Sequence, residues 1–322
     1  MTRETGMAQP KEPTLEIFKN PLARYFAATR PAFLTASMMA CVIGLASSWH
    51  GEHTFNIPLA LATLLFALLA HAGVNVLNDY YDALNGTDAQ NTERIFPFTG
   101  GSRFIQNGVL TLAQTRNFGF ALMACVAAAG LWLMARSAPQ LMYVGLAGLF
   151  VGWAYSAPPF KLNSRGLGEL CVAAGFLAIT VGTDFVQRKG FAAAPFIAGL
   201  SYALLVTNLL YINQFPDRSA DTAAGKLHWV ARLPVQLARW GYVLIVALAY
   251  VWLLSSVLLG WLPLPALLAF LALPLSVNAA RLLLRHAAQP QQLSDAIKLT
   301  IGAMMVHGTL LSLALIFGKG NT

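Results

Sequence analysis

The sequence predicts an all-α integral membrane protein with nine transmembrane helices. Of its 322 residues, 57% are hydrophobic and only 11% are charged, whereas soluble domains carry about 25% charged residues. The apolar residues form blocks of roughly 20, the length that a helix needs to cross about 30 Å of hydrocarbon. A chain so poor in charge cannot cover a water-facing surface. We therefore assign the net charge of +8 to cytoplasmic loops and contact with the lipid bilayer, and expect no nucleic-acid partner.

The apolar blocks divide the chain into a polar N-terminal segment, residues 1–30, and a transmembrane domain, residues 31–317. Very short turns separate the third block from the fourth and the seventh from the eighth, so each of these pairs is expected to form an antiparallel hairpin. The nine predicted spans are 31–49, 57–83, 116–136, 139–156, 166–187, 192–215, 236–259, 262–284 and 296–317.

The distribution of Lys and Arg predicts the orientation of the chain. Basic residues collect on the cytoplasmic side of membrane proteins. Here 17 of the 21 basic residues lie in the N-terminal segment or in the connections after the even-numbered spans and the span ends that adjoin them. The other four are Arg136, Arg188, Lys189 and Lys319. This asymmetry predicts a cytoplasmic N-terminus, an external C-terminus and a functional face on the cytoplasmic side, where the longer polar connections lie.

Cysteine and histidine do not form a recognisable site in the sequence. The three cysteines, Cys41, Cys125 and Cys171, are scattered through apolar blocks without metal-like spacing, so they are interpreted as packing residues. None of the six histidines is four residues from another, and no catalytic role is assigned to them.

Two stripes of Asn and Asp lie at the ends of the second and sixth spans. In the first stripe, Asn78 and Asp82 are four residues apart and share one helical face, with Asp79 beside it. In the second stripe, Asn213, Asp217 and Asp221 follow one another at intervals of four residues. The two stripes together form the candidate metal site. Carboxylates at a membrane helix end are costly without a compensating cation. Oxygen ligands without histidine or cysteine favour a hard cation such as Mg²⁺.

Basic side chains near the two stripes suggest a ligand for the metal. Carboxylate-held Mg²⁺ can bridge a diphosphate while Lys or Arg neutralises its remaining oxygens. The candidates for that role are Arg103, Lys161 and Lys226. Lys161 belongs to a Pro- and Gly-containing connection that starts near Tyr155, and this connection is predicted to fold over the mouth of a pocket as a lid.

These motifs resemble those of the UbiA-type superfamily of intramembrane aromatic prenyltransferases, over residues 24 to 317. The matching segments are Arg30-Pro31, Asn78–Asp82 with Gly86 and Asp88, Tyr155–Lys161 with Gly166–Glu169, and Asn213–Asp221 with Gly225-Lys226. The chain departs from the family pattern at two places. Pro216 stands where many relatives carry Arg. The stretch that begins at Gly225-Lys226 usually reads Gly-Lys-Arg-Thr-Leu, but here Leu and His228 follow Lys226.

The resemblance implies a helical bundle around a central cavity, in a bacterial-type cytoplasmic membrane. It implies that the two stripes hold Mg²⁺ and a polyprenyl diphosphate, that Lys161 contacts the diphosphate, and that Asp82, Asp217 and Lys161 are catalytic. Tyr155 is expected at the substrate. The segment Tyr155–Lys161 favours the branch that prenylates 1,4-dihydroxy-2-naphthoate for menaquinone biosynthesis, with loss of carbon dioxide.

Other acceptors and one other class of protein remain open at this stage. 4-Hydroxybenzoate, homogentisate and a tetrapyrrole are alternative acceptors. A cation-coupled transporter would also need membrane carboxylates, although transporters place them near the bilayer midplane on broken helices. The position of both stripes at span ends favours the enzyme.

Overall fold

The computed structural model describes residues 11–52 and 55–318, and this part of the chain is helical, with no β-strand. The longest helices are α2 (Pro31–Glu52), α3 (Ile57–Asn85), α5 (Leu112–Arg136), α6 (Leu141–Ser156), α7 (Gly168–Arg188), α8 (Ala194–Ala223), α10 (Val235–Leu258), α11 (Leu273–His286) and α12 (Ser294–Phe317). Short helices are α1 (Pro21–Ala28), α4 (Thr87–Gln90) and α9 (Trp229–Arg232), and a 3₁₀ segment, Leu264–Ala272, leads directly into α11. The basic residues Arg3 and Lys319 and the histidine His53 lie outside the described residues.

Eight segments of the described chain are long and apolar enough to cross a membrane. They coincide with eight of the predicted spans. One of them, Leu264–His286, combines the 3₁₀ segment with α11. The predicted fourth span corresponds to α6, an apolar helix of 16 residues that is shorter than the other spans. The prediction of a multi-pass, all-helical membrane protein is confirmed, while the count of nine spans and the orientation stay predictions.

Two helices extend beyond the predicted ends of their spans. Helix α3 continues to Asn85, and α8 runs eight residues past the predicted end at residue 215, through the internal Pro216. A proline in a helix interior removes one backbone hydrogen bond, but Pro216 is buried, so tertiary packing holds the helix together around it. Asp217 and Asp221, which follow the predicted end of the sixth span, therefore lie on α8 itself, as Asn78 and Asp82 lie on α3.

The helices divide into a packed side and a hollow side. The main apolar core is built from α2, α8, α10, α11, α12 and the 3₁₀ segment. On the other side, α2 and α7 each pack against both α3 and α8. Gly44 allows α2 to approach α7 closely, since a Cβ there would collide with the carbonyl oxygen of Thr180. This arrangement holds α3 and α8 at opposite walls of a common space.

The described part of the N-terminal segment packs onto the connection between α4 and α5. Glu12 accepts hydrogen bonds from Arg94 (2.7 Å) and Asn107 (3.1 Å), and it lies 3.8 Å from the Arg103 guanidinium. The ring of Phe18 packs on Phe104 at a centroid distance of 5.1 Å. Residues 11–30 thus cover the connection that follows the first stripe.

Candidate active site

The two stripes lie close to the C-terminal ends of α3 and α8. On α3, the amide of Asn78 donates to Asp82 Oδ2 at 3.1 Å and to Ser156 Oγ at 3.0 Å. Asn163, in the turn after α6, also donates to that hydroxyl, at 3.4 Å. The first stripe is therefore fixed by the connection between α6 and α7, a contact that helical spacing alone does not reveal.

Lys226 joins the two stripes. Its ammonium lies 3.0 Å from Asp82 Oδ2 on α3 and 3.6 Å from Asp221 Oδ1 on α8. Gly225, with φ of +76°, makes the turn that folds Lys226 back over the end of α8. Burial alone would lower the pKa of Lys226, but the carboxylates of Asp221 and Asp82 raise it well above its usual range. A positive charge is thus held between the stripes.

The second stripe is held by the connection between α4 and α5. Asn91 donates to Asp217 Oδ1 at 2.5 Å, and the amide of Asn213 donates to the carbonyl oxygen of Phe98 at 3.3 Å. Asn91 is buried. Asn91 could not be predicted from the sequence, because its partner lies 126 positions further along the chain and no local spacing links the two.

His228 contacts the second stripe directly. Its Nδ1 accepts from the backbone N–H of Ala231 at 3.2 Å, which leaves Nε2 to donate to Asp221 Oδ2 at 3.0 Å. His228 is buried, with 1% of its surface exposed. His228 was not predicted as a site residue, and its departure from the family pattern was the only signal for it in the sequence.

Two more carboxylates lie beneath the loop after α4. Asp79 Oδ1 accepts from the backbone N–H of Ser102 at 3.3 Å, so this predicted metal ligand is used to hold the loop. Asp88 is buried under Gly101. A Cβ on Gly101 would collide with the Asp88 carboxylate, so a side chain does not fit there. Burial, together with Asp82 and Asp79, raises the pKa of Asp88 well above its usual range.

The other predicted site residues are dispersed around the stripes. Arg103 is buried and donates to the backbone carbonyl of Asp88, so it braces the loop beside the carboxylates. Tyr155 lines the cavity described below. Lys161 is exposed, with a left-handed backbone (φ of +44°), in the connection after α6. Of the three predicted cations, Lys226 alone makes an ion pair with a stripe carboxylate in the described chain.

A cavity of about 580 Å³ extends from the stripes into the bundle. Asn78, Asn213 and Tyr155 line it, as do many apolar residues of α2, α3, α5, α6, α7 and α8. Gly145 and Gly148 of α6 border this open space, because a Cβ at either position would meet nothing within 4 Å. A larger side chain at either position would project into the cavity. The cavity is deep, apolar and polar at one end, which suits a long hydrocarbon chain with an ionic head.

One polar pair lies within the apolar lining of this cavity. The Nδ1 of His71 is 2.8 Å from Ser37 Oγ, and its ring packs edge-on against Phe176 at 5.5 Å. His71 is on the same helix as the first stripe, one turn before Asn75. It was also among the histidines without an assigned role.

The donor set fits a hard divalent cation. Its atoms are carboxylate and amide oxygens, and two of them, Asn213 Oδ1 and Asp221 Oδ1, are buried without a hydrogen-bond partner in the described chain. Buried acceptors without a hydrogen bond are costly, and a metal ion would compensate Asn213 Oδ1 fully and add to the ion pair of Asp221 Oδ1 with Lys226. Within the described residues, however, no three His, Cys, Asp or Glu side chains are already gathered as a metal site. The amide oxygens and the two helices together must therefore complete any coordination shell.

Comparison with known proteins identifies sequence relatives over nearly the whole chain. Residues 37–314 match the UbiA prenyltransferase family. The chain is 31% identical over 307 residues to 1,4-dihydroxy-2-naphthoate octaprenyltransferase of Mycobacterium tuberculosis, covering 92% of this chain and 98% of that relative. It is 26% identical over 295 residues to 2-carboxy-1,4-naphthoquinone phytyltransferase of Synechocystis, covering 89% of this chain and 91% of the relative.

Solved structures share the fold at low sequence identity. A UbiA homologue from Archaeoglobus fulgidus, bound to DMAPP and Mg²⁺, superimposes with a TM-score of 0.59 at 13% identity, covering 91% of this chain and 99% of that one. An apo UbiA homologue from Aeropyrum pernix gives 0.63 at 14% identity, with 87% and 98% covered. This similarity establishes the helical architecture independently of the sequence relatives.

Proposed function

Because this chain belongs to the UbiA prenyltransferase family, whose match covers residues 37–314, we propose that it transfers a polyprenyl group from polyprenyl diphosphate to 1,4-dihydroxy-2-naphthoate. The observation that carries the proposal is the meeting of two Asn-and-Asp stripes at the polar end of a deep apolar cavity. A polyprenyl diphosphate has the matching shape and chemistry, namely a long hydrocarbon tail and a compact anionic head.

The cavity is the proposed site of the tail. Its lining is mostly aliphatic and aromatic, and it is made by six helices rather than by loops. Each buried methylene of the tail contributes about 0.8 kcal/mol by leaving water. The same dry lining would protect an allylic cation from water until the acceptor captures it.

The stripes are the proposed binding site of the diphosphate and Mg²⁺. Asn78, Asp82, Asn213, Asp217 and Asp221 would hold the metal, and Asp79 and Asp88 lie nearby beneath the loop after α4. When bound, Mg²⁺ neutralises negative charge that develops on the leaving diphosphate.

Lys226 is the proposed cationic contact from the protein itself. Its ammonium already lies between Asp82 and Asp221, so it is placed to hydrogen-bond a diphosphate oxygen as the leaving group gains charge. Lys161 remains a proposed second contact, because its exposed position on the connection after α6 would allow it to approach a ligand at the cavity mouth. Arg103 and Tyr155 are proposed to support the diphosphate from the loop and the cavity wall.

The choice of acceptor rests on the relatives. The proteins from M. tuberculosis and Escherichia coli are named 1,4-dihydroxy-2-naphthoate octaprenyltransferases, and the E. coli protein is 29% identical over 296 residues. On this basis the product would serve menaquinone biosynthesis. The cytoplasmic face of a bacterial inner membrane is the proposed location, as the basic-residue asymmetry predicts.

Ion-coupled transport is the weaker alternative. Transporters of that kind bind ions near the bilayer midplane on interrupted helices. Here Asp82 is three residues from the end of α3, and α8 is continuous from Ala194 to Ala223 past Asp217. The carboxylates thus lie where a water-soluble head group can reach them.

The test is a prenyl-transfer assay with the purified full-length protein in detergent or nanodiscs. Radiolabelled polyprenyl diphosphate and Mg²⁺ are incubated with 1,4-dihydroxy-2-naphthoate, 4-hydroxybenzoate or homogentisate in parallel. A labelled, decarboxylated prenyl-naphthoquinol product supports the proposal. Product from 4-hydroxybenzoate or homogentisate alone would reassign the acceptor, and no product with any acceptor would refute the enzyme.

A further inference from the structure

A second cavity lies beside the first, under the N-terminal segment. Its volume is about 230 Å³. The walls come from the segment before α2, the first turn of α2, the loop between α4 and α5, and three residues of α8 and α12, namely Leu209, Ile301 and Met304. Five phenylalanines line it, namely Phe18, Phe33, Phe96, Phe98 and Phe104. It is too small for a polyprenyl chain, but its lining is suited to a flat ring system.

Two cations face this aromatic lining. Lys11 and Arg30 are the basic residues of its wall, and the wall contains no acidic residue. The guanidinium of Arg30 lies 4.5 Å from the ring centroid of Phe33. Within residues 11–52 and 55–318, Arg30 forms no ion pair with a carboxylate. Two cations beside aromatic rings, in a wall without a carboxylate, favour a ligand that is planar, aromatic and anionic.

The second cavity adjoins the polar end of the first. Arg30, Phe33 and Leu209 line both cavities. The carbonyl oxygen of Phe98, a residue of the second cavity, accepts from Asn213 of the second stripe at 3.3 Å and from Arg30 at 3.5 Å. A ring held in the second cavity would therefore lie next to the place proposed for the diphosphate and the adjoining allylic carbon.

We propose that this second cavity is the binding site of the aromatic acid acceptor. The ring stacks among the phenylalanines, and the carboxylate pairs with Lys11 and Arg30. The acceptor and the prenyl tail then occupy separate compartments that meet at Arg30 and Phe33. The assignment of the ligand rests on the proposed function, but binding can be measured without turnover.

The first test measures binding alone. The full-length protein in detergent is titrated with 1,4-dihydroxy-2-naphthoate, without prenyl diphosphate or Mg²⁺, by the shift in thermal unfolding. Ala27→Phe, which fills the second cavity, should weaken binding about ten-fold or more. Gly148→Phe is the control, because residue 148 lines only the first cavity; it should leave the affinity for the acid unchanged.

The second test isolates the charge. Lys11→Met should raise the KM for the naphthoate about five-fold, the scale expected of an exposed ion pair, and leave the KM for prenyl diphosphate unchanged. Lys19→Met removes an exposed lysine of the same segment that does not line the cavity and should change neither constant. Binding of 1,4-naphthalenediol, which lacks the carboxylate, should be insensitive to Lys11→Met.

A photoreactive azido-naphthoate would locate the ring directly. Labelling of residues 11–33 or 96–104 is the expected result. Labelling around Ser37, His71 and Phe176 would overturn the proposal and place the acceptor in the first cavity. Unchanged affinity of the Ala27→Phe variant for the naphthoate would also overturn it. The naphthoate could also bind the unmodified protein, lose affinity in Ala27→Phe, and yet not be prenylated. That result would refute the proposed function while supporting this binding site.

Discussion

At the scale of single residues, the site is an arrangement of carboxylates that needs positive charge. Asp82 and Asp221 share one ammonium, that of Lys226, at 3.0 and 3.6 Å. An ammonium with a single charge only partly offsets several carboxylates, and Asp221 Oδ1 and Asn213 Oδ1 keep no hydrogen-bond partner in the described chain. A divalent cation between α3 and α8 would complete the site that Lys226 only partly fills.

His228 is expected to orient Asp221 for metal binding. It donates from Nε2 to Asp221 Oδ2, and the backbone of Ala231 holds its ring in place. The His228→Ala substitution should weaken metal affinity about 10- to 100-fold, as loss of such a supporting hydrogen bond commonly does. Mn²⁺ binding followed by electron paramagnetic resonance, together with the Mg²⁺ dependence of the rate, measures the effect.

A half-buried histidine away from the stripes serves as the control for this experiment. His286 lies at the end of α11, where its Nδ1 is 3.5 Å from Gln289, and His286→Ala should leave Mn²⁺ affinity at the level of the unmodified protein. If His228→Ala binds Mn²⁺ just as tightly, His228 has only a packing role.

The stripes could be predicted from the sequence because a spacing of four places residues on one helical face. The partners of those stripes could not be predicted in the same way. Asn91 and Asp217 are 126 positions apart, and Lys226 and Asp82 are 144 apart. Such contacts depend on how loops fold over helix ends, and one sequence carries no local periodicity for them.

At the scale of elements, the spans were predictable and their ends were less so. Hydropathy marks the stretch that lies in lipid, but α8 continues for eight residues beyond its predicted end because its last turns are buried under the α4–α5 connection and α9. Both stripes consequently belong to rigid helices, which is favourable for holding ligands in a fixed geometry.

The N-terminal segment is an element that the sequence described only as polar. Burial would raise the pKa of Glu12, but hydrogen bonds from Arg94 and Asn107 and the charges of Arg94 and Arg103 lower it below its usual value of 4.5. The contact therefore stabilises the docked segment at neutral pH, and this contribution is lost as the pH falls through the lowered pKa.

Glu12→Gln should loosen that segment at neutral pH without unfolding the bundle. The paired side chains are partly exposed, so the cost should be only about 1 kcal/mol. Hydrogen–deuterium exchange of residues 11–30 should become faster. Glu16→Gln, at an exposed position of the same segment, is the control and should exchange at the original rate; equal exchange in both variants would show that Glu12 does not hold the segment.

Helix α6 lines the first cavity, which is the proposed site of the prenyl tail. Gly148→Phe should fold normally, because its Cβ meets nothing within 4 Å and glycine is a poor helix former. The new ring would occupy the first cavity, so the KM for a long polyprenyl diphosphate should rise about ten-fold while geranyl diphosphate remains a substrate. Leu254→Phe, at an exposed position of α10, should have no effect on chain length. Unaltered use of the long substrate by Gly148→Phe would mean that the tail lies elsewhere.

At the scale of the whole molecule, the bundle has one packed half and one hollow half. The core around α8, α10, α11 and α12 supports the wall on which the second stripe lies. The hollow half opens the space between α3 and α8 without breaking either helix. Composition and hydropathy predicted the membrane fold, but they could not predict that two cavities meet at Arg30 and Phe33, beside the start of α2, because cavity shape depends on packing between all the helices.

The basic-residue asymmetry predicts the orientation of this bundle. Alkaline phosphatase fused after Thr322 should be active, since the C-terminus is expected outside, and a fluorescent protein fused before Met1 should fluoresce in the cytoplasm. The reciprocal fusions, with the phosphatase at the N-terminus and the fluorescent protein at the C-terminus, are the control and should both be inactive. The opposite pattern would put the stripes on the external face.

The most direct test of the central claim is the rate of prenyl transfer in variants of the two stripes. Asp82→Asn and Asp217→Asn should each lower kcat roughly 100-fold or more, the scale on which loss of one electrostatic stabiliser acts, and both should lose tight Mn²⁺ binding. Asp295→Asn alters an exposed aspartate that pairs with Lys298 at the start of α12, and it should retain full activity. Full activity in either stripe variant would contradict the account, because the two stripes would then not form the site of the reaction.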